Sequence, residues 1–297
     1  MDQRFQGLGI ALVTPFRSNG LIDHAGLERL IDHLINGGVN YVVSMGTTGE
    51  SVTLSKEEKH QLLAETIAFV RNRVPVVLGV GGNNTAEVIE TLSGFEMDGV
   101  DAILSVSPYY NKPTQEGIYQ HYKAIAQVSL RPIILYNVPG RTGSNMAAET
   151  TLRLARDFKN IIAIKEASGN LGQIGTILKH RPKGFMVISG DDALTLPIIA
   201  LGGEGVISVV GNALPGEFGS LVHAALKGDI VAARSEHLRL LETIDLLFVE
   251  GNPGGIKHVL KILGICEDTM RLPLVNISED TANKLYHALA DAEVVKL

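Results

Sequence analysis

A lysine follows four apolar residues in the segment IIAIKEAS, residues 161–168. A strand that is apolar on both faces is typical of a buried parallel sheet, and an ammonium group is among the groups that are most costly to bury. Burial favours the neutral amine, which can attack a carbonyl carbon and form a Schiff base. We therefore predict that Lys165 is a nucleophile. The alternative is a lysine that extends into solvent or pairs with a distant acid.

In the preceding apolar segment, PIILYNVP, a tyrosine follows the apolar residues at 132–135. Side chains alternate between the two faces of a strand, so Ile161, Ala163 and Lys165 are expected to share one face, with Glu166 on the other. If the adjacent strand directs Tyr136 into the same space as Lys165, its phenol can carry the protons that imine formation transfers. The pair predicts chemistry on a carbonyl substrate.

Two further stretches predict carboxylate binding. The turn GTTGES at residues 46–51 offers the hydroxyls of Thr47 and Thr48 together with backbone N–H groups. Its alternative is an ordinary strand-to-helix turn with Thr or Ser as a cap. Arg141 follows a Pro-Gly turn, where its guanidinium can bind a second carboxylate through two parallel hydrogen bonds. The alternative for Arg141 is simple solvation at the surface.

Metal and cofactor chemistry have little support in the sequence. The 9 histidines include no His-x-His or His-x-x-x-His pair, which argues against a zinc or two-metal hydrolase. Asp191 and Asp192 have no accompanying ligands and are better explained as residues at the start of a helix. The stretch GVGG at residues 79–82 lacks the spacing of a dinucleotide site. We expect neither a metal ion nor an organic cofactor.

The composition also limits the class of partner. The formal net charge is −6 and no basic run occurs, which argues against nucleic acid and anionic membranes as partners. No apolar run approaches the roughly 18 residues of a membrane span, and the first residues lack the pattern of a signal peptide. The single cysteine, Cys266, cannot form an internal disulfide and fits a reducing compartment. We expect a cytoplasmic protein.

The elements that must position these residues are eight short apolar runs, each followed by a segment with helical periodicity. They predict parallel strands joined by crossover helices, an α/β protein with the (β/α)₈ or TIM-barrel fold. A doubly wound sheet is the alternative. In a barrel the chemistry lies at the carboxyl ends of the strands, where this chain has Thr47, Tyr110, Tyr136, Arg141 and Lys165.

The chain beyond Gly228 shows no further strand pattern. Its periodicity predicts three helices, near residues 229–249, 253–263 and 278–291. We therefore predict two parts, a catalytic barrel domain at residues 1–227 and a helical C-terminal domain at residues 228–297.

Five motifs, taken together and in this order, resemble the dihydrodipicolinate synthase family. They are GTTGE at 46–50, YYNKP at 109–113, YNVPGRTG at 136–143, IKEA at 164–167 and GDD at 190–192. The resemblance extends over nearly the whole chain. It implies a barrel with a helical extension, usually assembled as a homotetramer. It also implies a Schiff-base-forming lyase that condenses pyruvate with L-aspartate 4-semialdehyde in lysine (diaminopimelate) biosynthesis.

The resemblance implies catalytic roles for four residues. Lys165 would form the Schiff base with pyruvate, and Tyr136 would be the central acid and base. Thr48 would link Tyr136 to Tyr110, which a neighbouring subunit would supply across a dimer interface.

It also implies a set of substrate-binding residues. Thr47 and Thr48 would hold the carboxylate of pyruvate, and Arg141 would bind the carboxylate of the semialdehyde. Gly190 and Ile207 would line the pocket. Related pyruvate-dependent aldolases, such as N-acetylneuraminate lyase and the 2-keto-3-deoxy sugar acid aldolases, are the alternative function. Arg141 favours the synthase, because the aldehydes of those enzymes lack the second carboxylate.

Two stretches depart from the pattern of the family. Members that are inhibited by lysine bind it at positions that match Ser51, Val52, Lys56, Lys59, Asn83, Glu87 and Tyr109. The cationic side chains of Lys56 and Lys59 should repel lysine, so we expect weak or absent inhibition. The second departure is NPGG at residues 252–255, where many relatives have Asn-Pro-x-Pro. We expect this change to affect the packing of the C-terminal helices and not the chemistry.

Overall fold

The computed structural model of the chain describes residues 3–295. Its centre is a closed barrel of eight parallel strands, each paired with its neighbours in chain order. The strands are β1 (Gly7–Ala11), β2 (Tyr41–Ser44), β3 (Val76–Gly79), β4 (Ala102–Val106), β5 (Ile133–Asn137), β6 (Ile161–Glu166), β7 (Met186–Ser189) and β8 (Gly205–Ser208). The predicted (β/α)₈ fold is confirmed.

Helices connect successive strands and cover the outside of the barrel. They are α1 (His24–Asn36), α2 (Lys56–Val70), α3 (Thr85–Gly94), α4 (Gln115–Val128), the short α5 (Pro139–Thr142), α6 (Ala148–Asp157), α7 (Leu171–His180), α8 (Thr195–Ala200) and α9 (Pro215–Leu226). Several begin at polar caps. Ser55 and Glu58 form a capping box at the start of α2, and the side chain of Asn84 accepts a hydrogen bond at the start of α3.

The C-terminal part of the chain forms α10 (Ile230–Leu246), α11 (Gly254–Ile262) and α12 (Glu279–Asp291). These helices match the three that the periodicity predicts to within a few residues. The predicted domain boundary after residue 227 falls in the short connection between α9 and α10, and we keep that division as a proposal. No helix within residues 3–295 is long and apolar enough to cross a membrane.

The core has two layers because each strand is buried on both faces. An inner layer inside the barrel receives side chains from all eight strands, and it includes Tyr136, Ala163 and Ile207. An outer layer lies between the strands and the helices, and it includes Ile161 and Ile164. The layers follow the period-two alternation of side chains along a strand.

One detail of the predicted alternation is wrong. Ile161 packs in the outer layer, whereas Ala163 packs inside the barrel. The cause is a register shift between β5 and β6, in which Ile133 pairs with Ile161 but Ile134 pairs with Ala163. Such an irregularity places an extra residue in one strand and changes the facing of the residues before it. The facing of Lys165 is not affected, because it lies beyond the shift.

The C-terminal helices are attached to the barrel by buried charges. The side chains of Lys257 in α11 and of Glu50 are completely buried and form an ion pair, with Nζ and Oε1 2.5 Å apart. The ring of Phe16 contacts two cations, with its centre 4.2 Å from Nζ of Lys257 and 4.4 Å from Cζ of Arg271. Arg271 also forms an ion pair with Glu58 of α2. This end of the barrel and the extension are therefore a single packed unit.

Candidate active site

A cavity of about 800 Å³ opens at the carboxyl ends of the barrel strands. Its wall includes residues that directly follow β2, β3, β6 and β7, such as Met45, Val80, Ala167 and Gly190. The predicted site residues that line the wall are Thr47, Thr48, Tyr136, Arg141, Lys165 and Gly190. The fold therefore gathers residues from five separate segments around one space.

Lys165 lies near the end of β6, and its side chain enters this cavity. The residue is only 5% exposed, so the alternative of a lysine extended into solvent is excluded. Its neighbour in register on β5 is Tyr136, and Nζ lies 4.4 Å from the centre of the tyrosine ring. Within residues 3–295, no carboxylate forms an ion pair with Lys165. A buried amine without a counter-ion, beside a phenol, is suited to nucleophilic attack on a carbonyl group.

Gly190, which follows β7, makes room for the lysine. A Cβ atom at residue 190 would lie 3.0 Å from Cε of Lys165 and 2.8 Å from Cβ of Ala167. Those distances are shorter than ordinary van der Waals contacts. The absence of a side chain at residue 190 therefore permits the observed position of Lys165.

Glu166 follows the lysine in β6 but faces away from the cavity. Its carboxylate accepts hydrogen bonds from Nδ2 of Asn137 at 2.5 Å, Oγ of Ser168 at 2.5 Å and Nε2 of Gln173 at 3.1 Å. Burial raises the pKa of this carboxyl, and the three hydrogen bonds oppose the rise. Through these hydrogen bonds Glu166 connects the ends of β5 and β6 to α7. These contacts hold in place the strand that carries Lys165.

The predicted carboxylate turn is a single 3₁₀ turn, Thr47–Gly49, followed by Glu50 in the left-handed conformation with φ 51°. Thr47 is exposed and Thr48 is buried. The hydroxyl of Thr48 accepts a hydrogen bond from Nδ2 of Asn252 at 2.9 Å. Beyond the ion pair with Lys257, the carboxylate of Glu50 accepts the N–H of Arg271 at 3.1 Å. The C-terminal extension therefore holds this turn in its shape.

Of the two adjacent tyrosines after β4, one lines the cavity and the other lies at the surface. Tyr109 lines the cavity, and its carbonyl oxygen accepts a hydrogen bond from Asn83. Tyr110 is 87% exposed and does not line the cavity. Its φ of 70° lies in a region that residues other than glycine rarely adopt. Within one chain, residues 3–295 contain no hydrogen bond that joins Thr48 to Tyr136 or to Tyr110.

The remaining predicted residues lie at the edge of the site or outside it. Arg141, in α5, is exposed at the cavity wall, and its guanidinium has no hydrogen-bond or ion-pair partner among the described residues. Ile207 is buried in the inner layer of the barrel and does not form part of the wall.

The two aspartates after β7 organise the loops at this end of the barrel. Oδ1 of Asp191 accepts the N–H groups of Ala193 and Leu194 just before α8. Oδ2 of Asp192 accepts the N–H groups of Val209 and Val210 after β8. Burial raises the pKa of Asp192 to about 6. Within residues 3–295, no group of three or more His, Cys, Asp or Glu side chains is placed to hold a metal ion.

Asn252 is one of the cavity residues that sequence reasoning did not assign to the site. It belongs to the turn NPGG, for which we expected an effect on packing alone, yet it lines the cavity and contacts Thr48. The signal in the sequence is weak, because the two residues are 204 positions apart. Only the attachment of the C-terminal extension brings them together.

Comparisons with known proteins agree with the geometry. Residues 4–292 match the model of the dihydrodipicolinate synthetase family. The chain is 52% identical over 284 residues to the 4-hydroxy-tetrahydrodipicolinate synthase of Azobacteroides pseudotrichonymphae, with 96% of each protein covered. It resembles the crystal structure of dihydrodipicolinate synthase from Aquifex aeolicus with a TM-score of 0.94 and 41% identity, covering 99% of this chain and 100% of the other. A monomeric dihydrodipicolinate synthase variant matches with a TM-score of 0.96 and 40% identity, covering 98% of each chain.

Proposed function

The chain belongs to the dihydrodipicolinate synthetase family, and we therefore propose that it acts as a 4-hydroxy-tetrahydrodipicolinate synthase, which condenses pyruvate with L-aspartate 4-semialdehyde. The observation that carries this proposal is the state of Lys165. Its amine is buried, lacks a carboxylate partner in the described chain and stands beside Tyr136 at the wall of the cavity.

The first half of the reaction activates pyruvate. Nζ of Lys165 attacks the keto carbon, a C–N bond forms, and the former keto oxygen leaves as water. Loss of a methyl proton from the resulting iminium ion gives an enamine. Tyr136 is the acid and base in these steps, because the centre of its ring lies 4.4 Å from Nζ of Lys165 and a phenol can carry a proton.

The second half forms the carbon–carbon bond. The enamine carbon attacks the aldehyde carbon of the semialdehyde, and the aldehyde oxygen takes up a proton as a hydroxyl. The amino group of the semialdehyde then attacks the iminium carbon, closes the ring and displaces Nζ of Lys165. The lysine returns to its free form, so the cycle needs no oxidant, metal ion or cofactor.

Two groups at the wall are proposed to bind the carboxylates. Thr47, Thr48 and the N–H groups of their turn bind the carboxylate of pyruvate, since they lie at the same cavity wall as Lys165. Arg141 binds the carboxylate of the semialdehyde, and its guanidinium has no partner within the described chain that would compete. Gly190 keeps Lys165 in place, and Ile207 supports the site from the barrel interior.

Tyr110 is proposed to act in a neighbouring subunit. An exposed aromatic side chain, held in a backbone conformation that tyrosine rarely adopts, supports contact with a second copy of the chain. In that arrangement its phenol approaches Thr48 across a dimer interface. We propose the homotetramer that is usual in the family as the active assembly.

The test is reductive trapping. Pyruvate with borohydride should give a covalent adduct, which peptide mass spectrometry should locate on Lys165. Lys257 is an internal control, because it is also buried but is neutralised by Glu50. The variant K165R should not be trapped. An unmodified Lys165 in the wild type would contradict a Schiff-base mechanism.

A second assay distinguishes the synthase from its relatives. Turnover should be faster with aspartate semialdehyde than with N-acetylmannosamine or a sugar aldehyde. The reverse order, with the adduct still present on Lys165, would identify a related pyruvate-dependent aldolase instead.

A further inference from the structure

Tyr110 lies at the centre of a tight turn that its own backbone disfavours. The N–H of Asn111 donates a hydrogen bond to the carbonyl oxygen of Tyr109 at 2.8 Å, and Tyr110 between them has a φ of 70°. A bond of this span across a residue with positive φ is the rare and strained form of the γ-turn. Such strain persists only where the surrounding structure over-determines it. Contacts from other segments must therefore hold this turn.

Those contacts include a pair of reciprocal hydrogen bonds between Asn83 and Asn111, which we call the asparagine clamp. Nδ2 of Asn83, after β3, donates to the same carbonyl oxygen of Tyr109 at 3.1 Å. Nδ2 of Asn111 donates in return to the carbonyl oxygen of Asn83 at 3.0 Å. The N–H of Tyr110 also donates to the carbonyl oxygen of Thr142 in α5, at 3.4 Å. The loops after β3, β4 and β5 thus meet at Tyr110.

We propose that Asn111 is a positioning residue, which fixes Tyr110 in the conformation that delivers its phenol to the active site of a second copy of the chain. This inference rests on the proposed function, because it concerns a tyrosine that we propose to act across a dimer interface. Asn111 is exposed and does not line the cavity, so it does not touch the substrate in its own chain. It acts through Tyr110.

The backbone bonds carry this role because the side chain of Tyr110 cannot. That side chain is 87% exposed in the single chain, so packing against its own barrel does not fix its direction. Without the donor of Asn111, the turn can relax towards a negative φ, which redirects the phenol. An enzyme whose competent conformation is less populated works more slowly in proportion.

The substitutions N111A and N111D test the clamp. Alanine removes the donor, and aspartate keeps the shape of the side chain but, when ionised, only accepts hydrogen bonds. We expect kcat to fall about threefold to tenfold in both variants, since loss of one hydrogen bond reduces the competent population by that order. Trapping of Lys165 at long incubation should reach the same extent as in the wild type, because the nucleophile is unchanged. A wild-type kcat in both variants would overturn the proposal.

The matched control is N160D. Asn160 lies just before β6, at the end of the barrel opposite the cavity, and its Nδ2 also donates to a backbone carbonyl oxygen, that of Ala126 at 2.8 Å. N160D should lower the free energy of unfolding but leave kcat within about twofold of wild type. An equal fall of kcat in N160D and N111D would show a general effect of losing such a bond and would overturn the specific role of Asn111.

A double substitution separates positioning from a wider structural role. The variant Y110F lacks the phenol hydroxyl, so N111A should lower kcat no further in that background. Additive losses of kcat would overturn the proposal, because they would show that Asn111 acts through another group.

Mixed oligomers show which chain Asn111 serves. K165R lacks the nucleophile but keeps the clamp, whereas N111A keeps the nucleophile. Oligomers of these two chains, isolated through two affinity tags, combine Lys165 of one chain with Tyr110 from an intact clamp in the other. Their kcat per Lys165 should exceed that of oligomers in which the K165R chain also carries N111A, by up to the factor lost in N111A. Equal activities, or the absence of mixed oligomers, would overturn the proposal.

Failure of the proposed function would give a different result. A wild-type protein without trapping or turnover would refute the proposed function, and this inference with it. An active wild type whose N111A and N111D variants are equally active would refute only the role of Asn111.

Discussion

Glu50 and Lys257 form an ion pair between two side chains that have no exposed surface, with Oε1 and Nζ 2.5 Å apart. Glu50 ends the turn that carries Thr47 and Thr48, and Lys257 belongs to α11 in the C-terminal extension. Desolvation lowers the pKa of Lys257, and the nearby Glu50 opposes that change. The turn that carries Thr47 and Thr48 is therefore held by a helix from the far end of the chain.

The substitution K257M should destabilise the protein strongly. It leaves the carboxylate of Glu50 buried without its cation, which costs about 3–5 kcal/mol in the free energy of unfolding. Denaturant unfolding measures the change. K284M is the matched control, because Lys284 and Asp280 form an exposed pair on α12 and the expected change is within about 0.5 kcal/mol. Equal effects of the two substitutions would contradict this view of the buried pair.

The substitution G190A should impair catalysis without unfolding the barrel. The new Cβ would lie 3.0 Å from Cε of Lys165, whose flexible side chain would move to relieve the contact. A displaced nucleophile should lower kcat/KM by about tenfold to a hundredfold and should slow trapping with pyruvate and borohydride. G216A, at a site with open space around it, is the control. Unimpaired trapping in G190A would show that the position of Lys165 does not depend on this glycine.

Asp192 should make the stability of the protein depend on pH. Burial raises the pKa of its carboxyl from 3.8 to about 6. The unfolded chain therefore releases this proton near pH 4, whereas the folded chain keeps it until about pH 6. The stability that this group contributes is fully present below pH 4. As the pH rises from 4 to 6, the free energy of unfolding falls by about 3 kcal/mol because of this group.

The variant D192N lacks this titration. As the pH rises from 4 to 7, the wild type loses the stability due to Asp192 but D192N does not. The free energy of unfolding of D192N should therefore rise, relative to that of the wild type, by up to about 3 kcal/mol. Denaturant melts at several pH values measure the difference. D98N is the control, because Asp98 is 95% exposed. Its free energy of unfolding should depend on pH in the same way as that of the wild type. A parallel curve for D192N would mean that Asp192 titrates normally in the folded protein.

The substitution G255A should destabilise the extension. A Cβ at residue 255 would lie 2.6 Å from the carbonyl oxygen of Leu247, and backbone must move to make room. We expect a loss of about 1–3 kcal/mol in the free energy of unfolding. In contrast, a Cβ at Gly175 in α7 would meet no atom within 4 Å outside the backbone of its own helix. G175A should therefore leave the free energy of unfolding unchanged or raise it by up to about 1 kcal/mol.

Free lysine should inhibit this enzyme weakly. Lys59 lines the cavity together with Ser51, Asn83 and Glu87. These are positions at which the family resemblance leads us to expect the lysine site of inhibited members. The ammonium group of Lys59 should repel a cationic effector by about 1 kcal/mol at a separation of ~4 Å in water. In steady-state assays K59Q should therefore be inhibited at about fivefold lower lysine concentration. Lys56, which we also expected to repel lysine, does not line the cavity, so K56Q should change little. Sub-millimolar inhibition of the wild type would refute the hypothesis.

Local periodicity was enough to predict the barrel and the position of Tyr136 and Lys165 near the carboxyl ends of their strands. The eight apolar runs and their helices became the observed elements, because strand alternation and helical spacing are properties of short segments. The facing of Ile161 was predicted wrongly, because the register shift between β5 and β6 depends on how two strands pair. Ile207 illustrates the same limit, since it lies on an inner strand face but outside the cavity wall.

The sequence by itself therefore determined the class of fold and the strand ends at which we propose that the chemistry occurs. It also supplied the lysine and tyrosine that such chemistry would use. The tertiary structure alone decided that Nζ of Lys165 lies beside the ring of Tyr136. It also decided that Asn252 contacts Thr48 and that Lys257 neutralises Glu50, across more than 200 positions of chain. The physical reason is that periodicity records the environment of a residue within its own element, whereas such contacts arise only when separate elements pack together.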